Sequence, residues 1–137
     1  VSPFITDLQQ LEVSFGADSY LFELESTTAK DLTVTWQGTA LDSELFRRYY
    51  NLAVSAAASE SLADGTVPRG SPLAALRFVY KDPQKPDDVL RLYQGDARRL
   101  LVEVNGVCGF AMRQRYLTVL QNATQSLLQH QSFSTEW

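Results

Sequence analysis

The chain has one cysteine, one histidine and one methionine among its 137 residues. These scarcities exclude a good deal. A lone cysteine cannot close an internal disulfide. One His and one Cys cannot build a four-ligand zinc site, so neither a metal nor any other cofactor is expected. A reactive thiol normally needs a base beside it. The only candidate, His130, falls at the far end of the helix expected after Cys108, so Cys108 reads as a small apolar structural residue. The glycines are also sparse. Gly65, Gly70, Gly106 and Gly109 form no phosphate-cradling or dinucleotide fingerprint. The serines never sit in a nucleophile-elbow pattern. The usual parts of catalysis are lacking, and the chain is not expected to be an enzyme.

Positive charge is in short supply as well. Twelve basic residues stand against sixteen acidic ones, for a net charge of −4, and the basic ones are scattered. A nucleic-acid partner is therefore not expected, because that role needs a basic stripe. No apolar run approaches the roughly 20 residues that span a bilayer. The opening "VSPFITDLQQ" has no initiator methionine, no charged leader region and no apolar one. It is expected to be a mature or excised piece whose membrane anchor lay in the missing part.

What remains is ordinary globular material, 45% hydrophobic and 20% charged, long enough for a single core. Its patterning is regular. In "LEVSFGADSYLFELES", Leu11, Val13 and Phe15, then Tyr20, Phe22 and Leu24, alternate with polar residues across a short Gly/Asp turn. This predicts a β-hairpin with one wet face, carrying Glu23 and Glu25 outward. "LTVTW" predicts a third strand. The period then changes. Leu41, Leu45, Tyr49, Leu52, Ala53 and Ala56 form the stripe of an amphipathic helix, with Asp42 as its N-cap. "SLADGTVPRGSP" reads as a connecting loop.

The second half repeats the style. "PLAALRFVY" predicts a strand with Leu76, Phe78 and Tyr80 on one face, and "VLRLYQGDARRLLVEV" predicts two more. Asn105-Gly106 marks a type I′ turn, because both residues tolerate positive φ. Met112, Tyr116, Val119, Leu120, Ala123 and Leu127 mark a second helix ending near His130, and "QSFSTEW" is expected to fray. "RYYNLAVSA" from Arg48 matches "RYLTVLQNA" from Arg115, which suggests an internal duplication. The expectation is one α+β domain over 1–137. Two antiparallel β-meander-plus-helix units, at about 8–60 and 72–131, are joined by a loop at 61–71, with the helices packed on one sheet face.

Asp82, Asp87 and Asp88 crowd one loop, but its prolines and lack of glycine do not fit a calcium loop. Asn122-Ala123-Thr124 matches the glycosylation triplet inside a predicted helix and reads as coincidence. The best binding candidates are Arg47, Arg48 and Tyr50 beside the first helix stripe, and Arg113 and Arg115 at the start of the second. Arginine and tyrosine combine apolar area with directed hydrogen bonds and are favoured at interfaces.

In "LTVTWQGTALDSELFRRYYNLAVSAAASES", a strand ending near a Trp runs through a short turn into an Asp-capped helix and a strand-like exit. "LRLYQGDARRLLVEVNGVCGFAMRQRYLTVLQNA" supplies a paired-strand ending. In this order the chain resembles the bacterial domain-of-unknown-function family 4340. The resemblance implies an extracytoplasmic, membrane-associated domain, near an envelope or transporter-associated partner, and brings no catalytic residues with it. The expected function is a non-catalytic binding or scaffolding module of the bacterial cell envelope. The alternative is a small-ligand or lipid-binding domain with a groove between sheet and helices.

Overall fold

The computed structural model describes residues 4–58, 60–61 and 67–137. The strands are β1 (Leu8–Phe15), β2 (Asp18–Glu25), β3 (Thr33–Trp36), β4 (Thr39–Ala40), β5 (Glu60–Ser61), β6 (Ala74–Tyr80), β7 (Asp88–Gln94), β8 (Arg99–Val104) and β9 (Val107–Arg113). The helices are α1 (Ser43–Val54) and α2 (Arg115–Leu128). All strands join one antiparallel sheet in the order β4-β3-β2-β1-β6-β7-β8-β9-β5. The class is α+β. The two expected meanders are not separate sheets, because β1 pairs with β6 and makes them continuous.

Period-two alternation sets the register. Trp36, Phe22, Leu11 and Phe78 lie directly across from one another on successive strands. So do Val13, Leu76 and Leu90, and likewise Ala74, Leu92 and Val102. A one-residue slip would turn every one of these side chains to the other face, so burial holds the register. The type I′ turn at Asn105-Gly106 is present, with φ 49° and 83°. Gln37-Gly38 makes the same kind of turn, with φ 50° and 78°, and leads into the two-residue β4.

Asp42 caps α1 as expected, accepting hydrogen bonds from the amides of Glu44 and Leu45. The buried face of α1 holds Phe46, Tyr49, Tyr50, Leu52 and Ala53. Phe46 and Tyr49 each meet the Phe22 ring edge-on at 5.5 Å, and Tyr50 meets Phe78 at 6.4 Å. Such pairs add about 0.5–1.5 kcal/mol each beyond the area they bury. The two helices touch each other: the Tyr116 hydroxyl donates to the Leu52 carbonyl at 2.8 Å.

Two features depart from the sequence expectation. The strand-like exit expected after α1 is present as β5, but it pairs with Phe110 and Ala111 of β9, so the first half-unit reaches across to the last strand of the second. The loop expected at 61–71 begins inside that strand, and its residues 62–66 lie outside the described residues. The "QSFSTEW" segment, expected to fray, packs onto the helix pair. There its Phe133 and Trp137 are half-buried.

Candidate functional site

The five residues proposed for binding do not converge on one patch. Arg47 pairs with Glu44 at 3.5 Å and donates to the Ala29 carbonyl. Arg115 is exposed at the start of α2. Tyr50 does not escape the core: it is 5% exposed, and burial pushes its hydroxyl pKa up, aided by Tyr80 and Asp7. Its neighbour Tyr49 is buried too. α1 contacts both the sheet and α2, so its apolar arc is wider than a single stripe.

Arg48 and Arg113 act together. The Arg48 guanidinium donates to the Phe133 carbonyl at 2.8 Å and lies 5.3 Å from the centre of the Phe133 ring. Arg113 donates to the Trp137 carbonyl at 3.5 Å. The Phe133 ring meets Tyr49 edge-on at 6.4 Å, and the Trp137 ring meets Tyr116 at 5.1 Å. Phe133, Thr135 and Trp137 are half-buried, while Ser134 and Glu136 are exposed. Residues 131–137 therefore form an extended strap with alternate side chains turned inward. Beneath it remains a cavity of about 210 Å³, lined by Arg48, Asn51, Leu52, Ser55, Thr135 and Trp137.

The strap is entered through a Schellman turn. The His130 amide bonds to the Leu127 carbonyl and the Gln131 amide to the Ser126 carbonyl, with His130 itself at φ 57°. Beyond Gln131, no backbone-to-backbone hydrogen bond ties the strap to the other described residues. Ordering such a segment costs about 1–2 kcal/mol per residue, of the same order as its few side-chain contacts return. Its hold is therefore narrow. The alternation of Phe133, Thr135 and Trp137 was the only sequence signal for it.

The polar positions of the strands carry several charged pairs. Glu103 accepts from Arg91 at 2.9 Å and from the Tyr93 hydroxyl at 3.4 Å. Cys108 Sγ lies 4.0 Å from the same carboxylate, so its neighbour is Glu103 and not His130. Arg77 sits between Glu12 at 3.5 Å and Asp87 at 3.7 Å. Its Nε is buried yet makes no aligned hydrogen bond among the described residues, so the Glu12 contact is a charge contact only. Asp88 accepts from Asn105 at 2.9 Å and from the Tyr80 hydroxyl. Burial, then that bond to Asp88, pushes the Tyr80 pKa up. The aspartates of the 82–88 loop thus serve separate local bonds. No three metal-ligating side chains cluster among the described residues.

A groove of about 740 Å³ opens at the β1–β2–β3 end. Gln10, Glu23, Glu25, Thr27, Asp31 and Lys81 line it, with Leu24 its one large apolar residue. Lys81 is held there by the Ser26 carbonyl and hydroxyl, at 2.6 and 3.0 Å. Hydrogen bonds from the Thr27 hydroxyl and the Thr28 amide hold the Asp31 carboxyl down at about 2. No helix among the described residues is long and apolar enough to cross a membrane. No family model matches the chain, and the comparisons with curated proteins and with solved structures find no match.

Proposed function

We propose that the chain is a non-catalytic binding or scaffolding module. The observation that carries this reading is a broad sheet face with two cross-strand charged groups, Glu12 with Arg77, and Arg91 and Tyr93 with Glu103. Such a surface is rigid, polar and shallow, which suits a protein partner better than a small substrate. The groove at the β1–β2–β3 end weighs against the lipid-binding alternative, because its lining is almost wholly polar.

The finer architecture belongs to the same reading. Each half runs four antiparallel strands into a helix, and the halves meet first strand to first strand at β1 and β6. The Gln37-Gly38 and Asn105-Gly106 turns occupy equivalent places, and Tyr49 and Tyr116 each reach the other helix. These correspondences support a duplicated unit. The ring contacts of α1 with Phe22 and Phe78, and its bonds to α2, support both helices lying on one sheet face.

Placement in a bacterial envelope, beside a membrane or transporter partner, rests on the resemblance to domain-of-unknown-function family 4340. Fractionation of cells making the natural protein, followed by cross-linking and identification of the captured partner, tests it. Recovery in the membrane or envelope fraction with one defined partner is expected. A protein found free in the cytosol would overturn the envelope assignment, and turnover of a substrate would overturn the non-catalytic one.

A further inference from the structure

We propose that the helix-pair groove under the strap is a peptide-recognition site, filled in cis by residues 131–137. Its occupant in trans is an extended peptide from a partner protein, with aromatic residues at positions one and five and a bulky apolar residue at position three. This rests on the binding-module reading and gives it a site. The groove reads an extended backbone directly: Arg48 and Arg113 donate to the carbonyls of Phe133 and Trp137, the two residues whose rings meet Tyr49 and Tyr116. Carbonyl contacts combined with pockets for alternate side chains are how extended peptides are selected. The middle position is underfilled. Thr135 borders the open cavity of about 210 Å³ beside Leu52 and Trp137, and a peptide with Leu there would cover the apolar surface of those two better than the strap does. Charge agrees: two arginines face the bound segment, and its outward residues, Ser134 and Glu136, include an acid and no base. The strap is also releasable, because side chains alone hold it beyond Gln131 among the described residues.

The test uses the 137-residue chain carrying Phe133→Ala and Trp137→Ala, which empties the groove. Two fluorescein-labelled peptides are the probes: QSFSTEW, the strap itself, and QSFSLEW. The altered chain is expected to bind QSFSLEW at least about ten-fold more tightly than the natural chain does, because the cis competitor is gone. QSFSLEW should also bind more tightly than QSFSTEW, and adding Arg48→Glu should abolish both. A folded double variant that binds neither peptide at millimolar concentration would overturn the proposal. So would doubling of its mass with no peptide competition, which would make a second copy the occupant. If the double variant does not fold, the natural chain decides. Excess QSFSLEW must then shift the Trp137 indole N–H resonance, and a resonance that stays fixed rejects the site. Failure here leaves the fractionation and cross-linking result untouched, so the two readings fail separately.

Discussion

The hydroxyl of Tyr49 on α1 lies 2.7 Å from Oγ1 of Thr124 on α2, with both side chains fully buried. Thr124 gives its single proton to the Leu120 carbonyl at 2.8 Å, so Tyr49 is the donor between the helices. The bond fixes the helix pair on which the strap rests.

Removing the two partners should have unequal effects. Tyr49→Phe leaves Thr124 bonded to Leu120 and should cost about 1 kcal/mol. Thr124→Val leaves the Tyr49 hydroxyl buried without its acceptor and should cost about 1–3 kcal/mol. The double variant should be less destabilised than the sum of the two. Urea unfolding midpoints of the four proteins measure this coupling, and strict additivity would mean that the hydroxyls act independently.

His130 holds the left-handed position of the Schellman turn without being glycine. An L side chain is strained there, and glycine is not. His130→Gly should therefore stabilise the chain by about 0.5–1 kcal/mol, net of the added freedom of the unfolded state. His130→Val should destabilise it. Thermal melts of the two variants against the natural chain should move in opposite directions.

Much of this architecture is written locally. Leu11, Val13, Phe22, Leu76 and Phe78 were assignable to the covered face because a two-residue period has one physical meaning in a half-buried sheet. Asp42 and Asn105-Gly106 act within a few residues of themselves, and their roles were equally legible. The remainder depends on distant partners. β4 and β5 are two residues each, too short to carry a period. Thr124 looks like a break in the α2 stripe until Tyr49 arrives from 75 residues away. The candidate site was half visible. Arg48 and Arg113 were picked out by residue type, but their partners are backbone carbonyls, which every sequence possesses.

Gly95 closes the turn between β7 and β8. A Cβ there would stand 2.6 Å from the Arg99 carbonyl oxygen, which is backbone and cannot swing aside. The Asp96 carboxylate already pins the turn by accepting from the amides of Arg98 and Arg99, at 2.8 and 3.0 Å. Gly95→Ala should cost about 1–3 kcal/mol, as for other overpacked sites. Amide shifts should concentrate at the Gln94–Leu100 end of the ladder, and an unchanged melting point would show that the turn yields freely.

Tyr49 and Tyr116, two of the four buried tyrosines whose pKa burial raises, help to set an alkaline limit on stability. Burial pushes the hydroxyl pKa of Tyr49 and of Tyr116 far above the ordinary value of about 10. In the unfolded chain both ionise at that ordinary value, whereas in the folded chain both keep their protons. Below it the two states bind equal numbers of protons, and this part of the stability is complete. Above it the unfolded state binds fewer, so stability falls as pH rises, until the folded hydroxyls would themselves ionise. Each tyrosine should add a slope of roughly 1.4 kcal/mol per pH unit in that range. Urea midpoints taken at about pH 9, 10 and 11 should decline increasingly steeply, with a further rise in phenolate absorbance on unfolding. Tyr116→Phe should flatten the decline by one tyrosine's share. A flat profile through this range would mean that water reaches both hydroxyls in the folded chain, which the sealed helix pair does not allow.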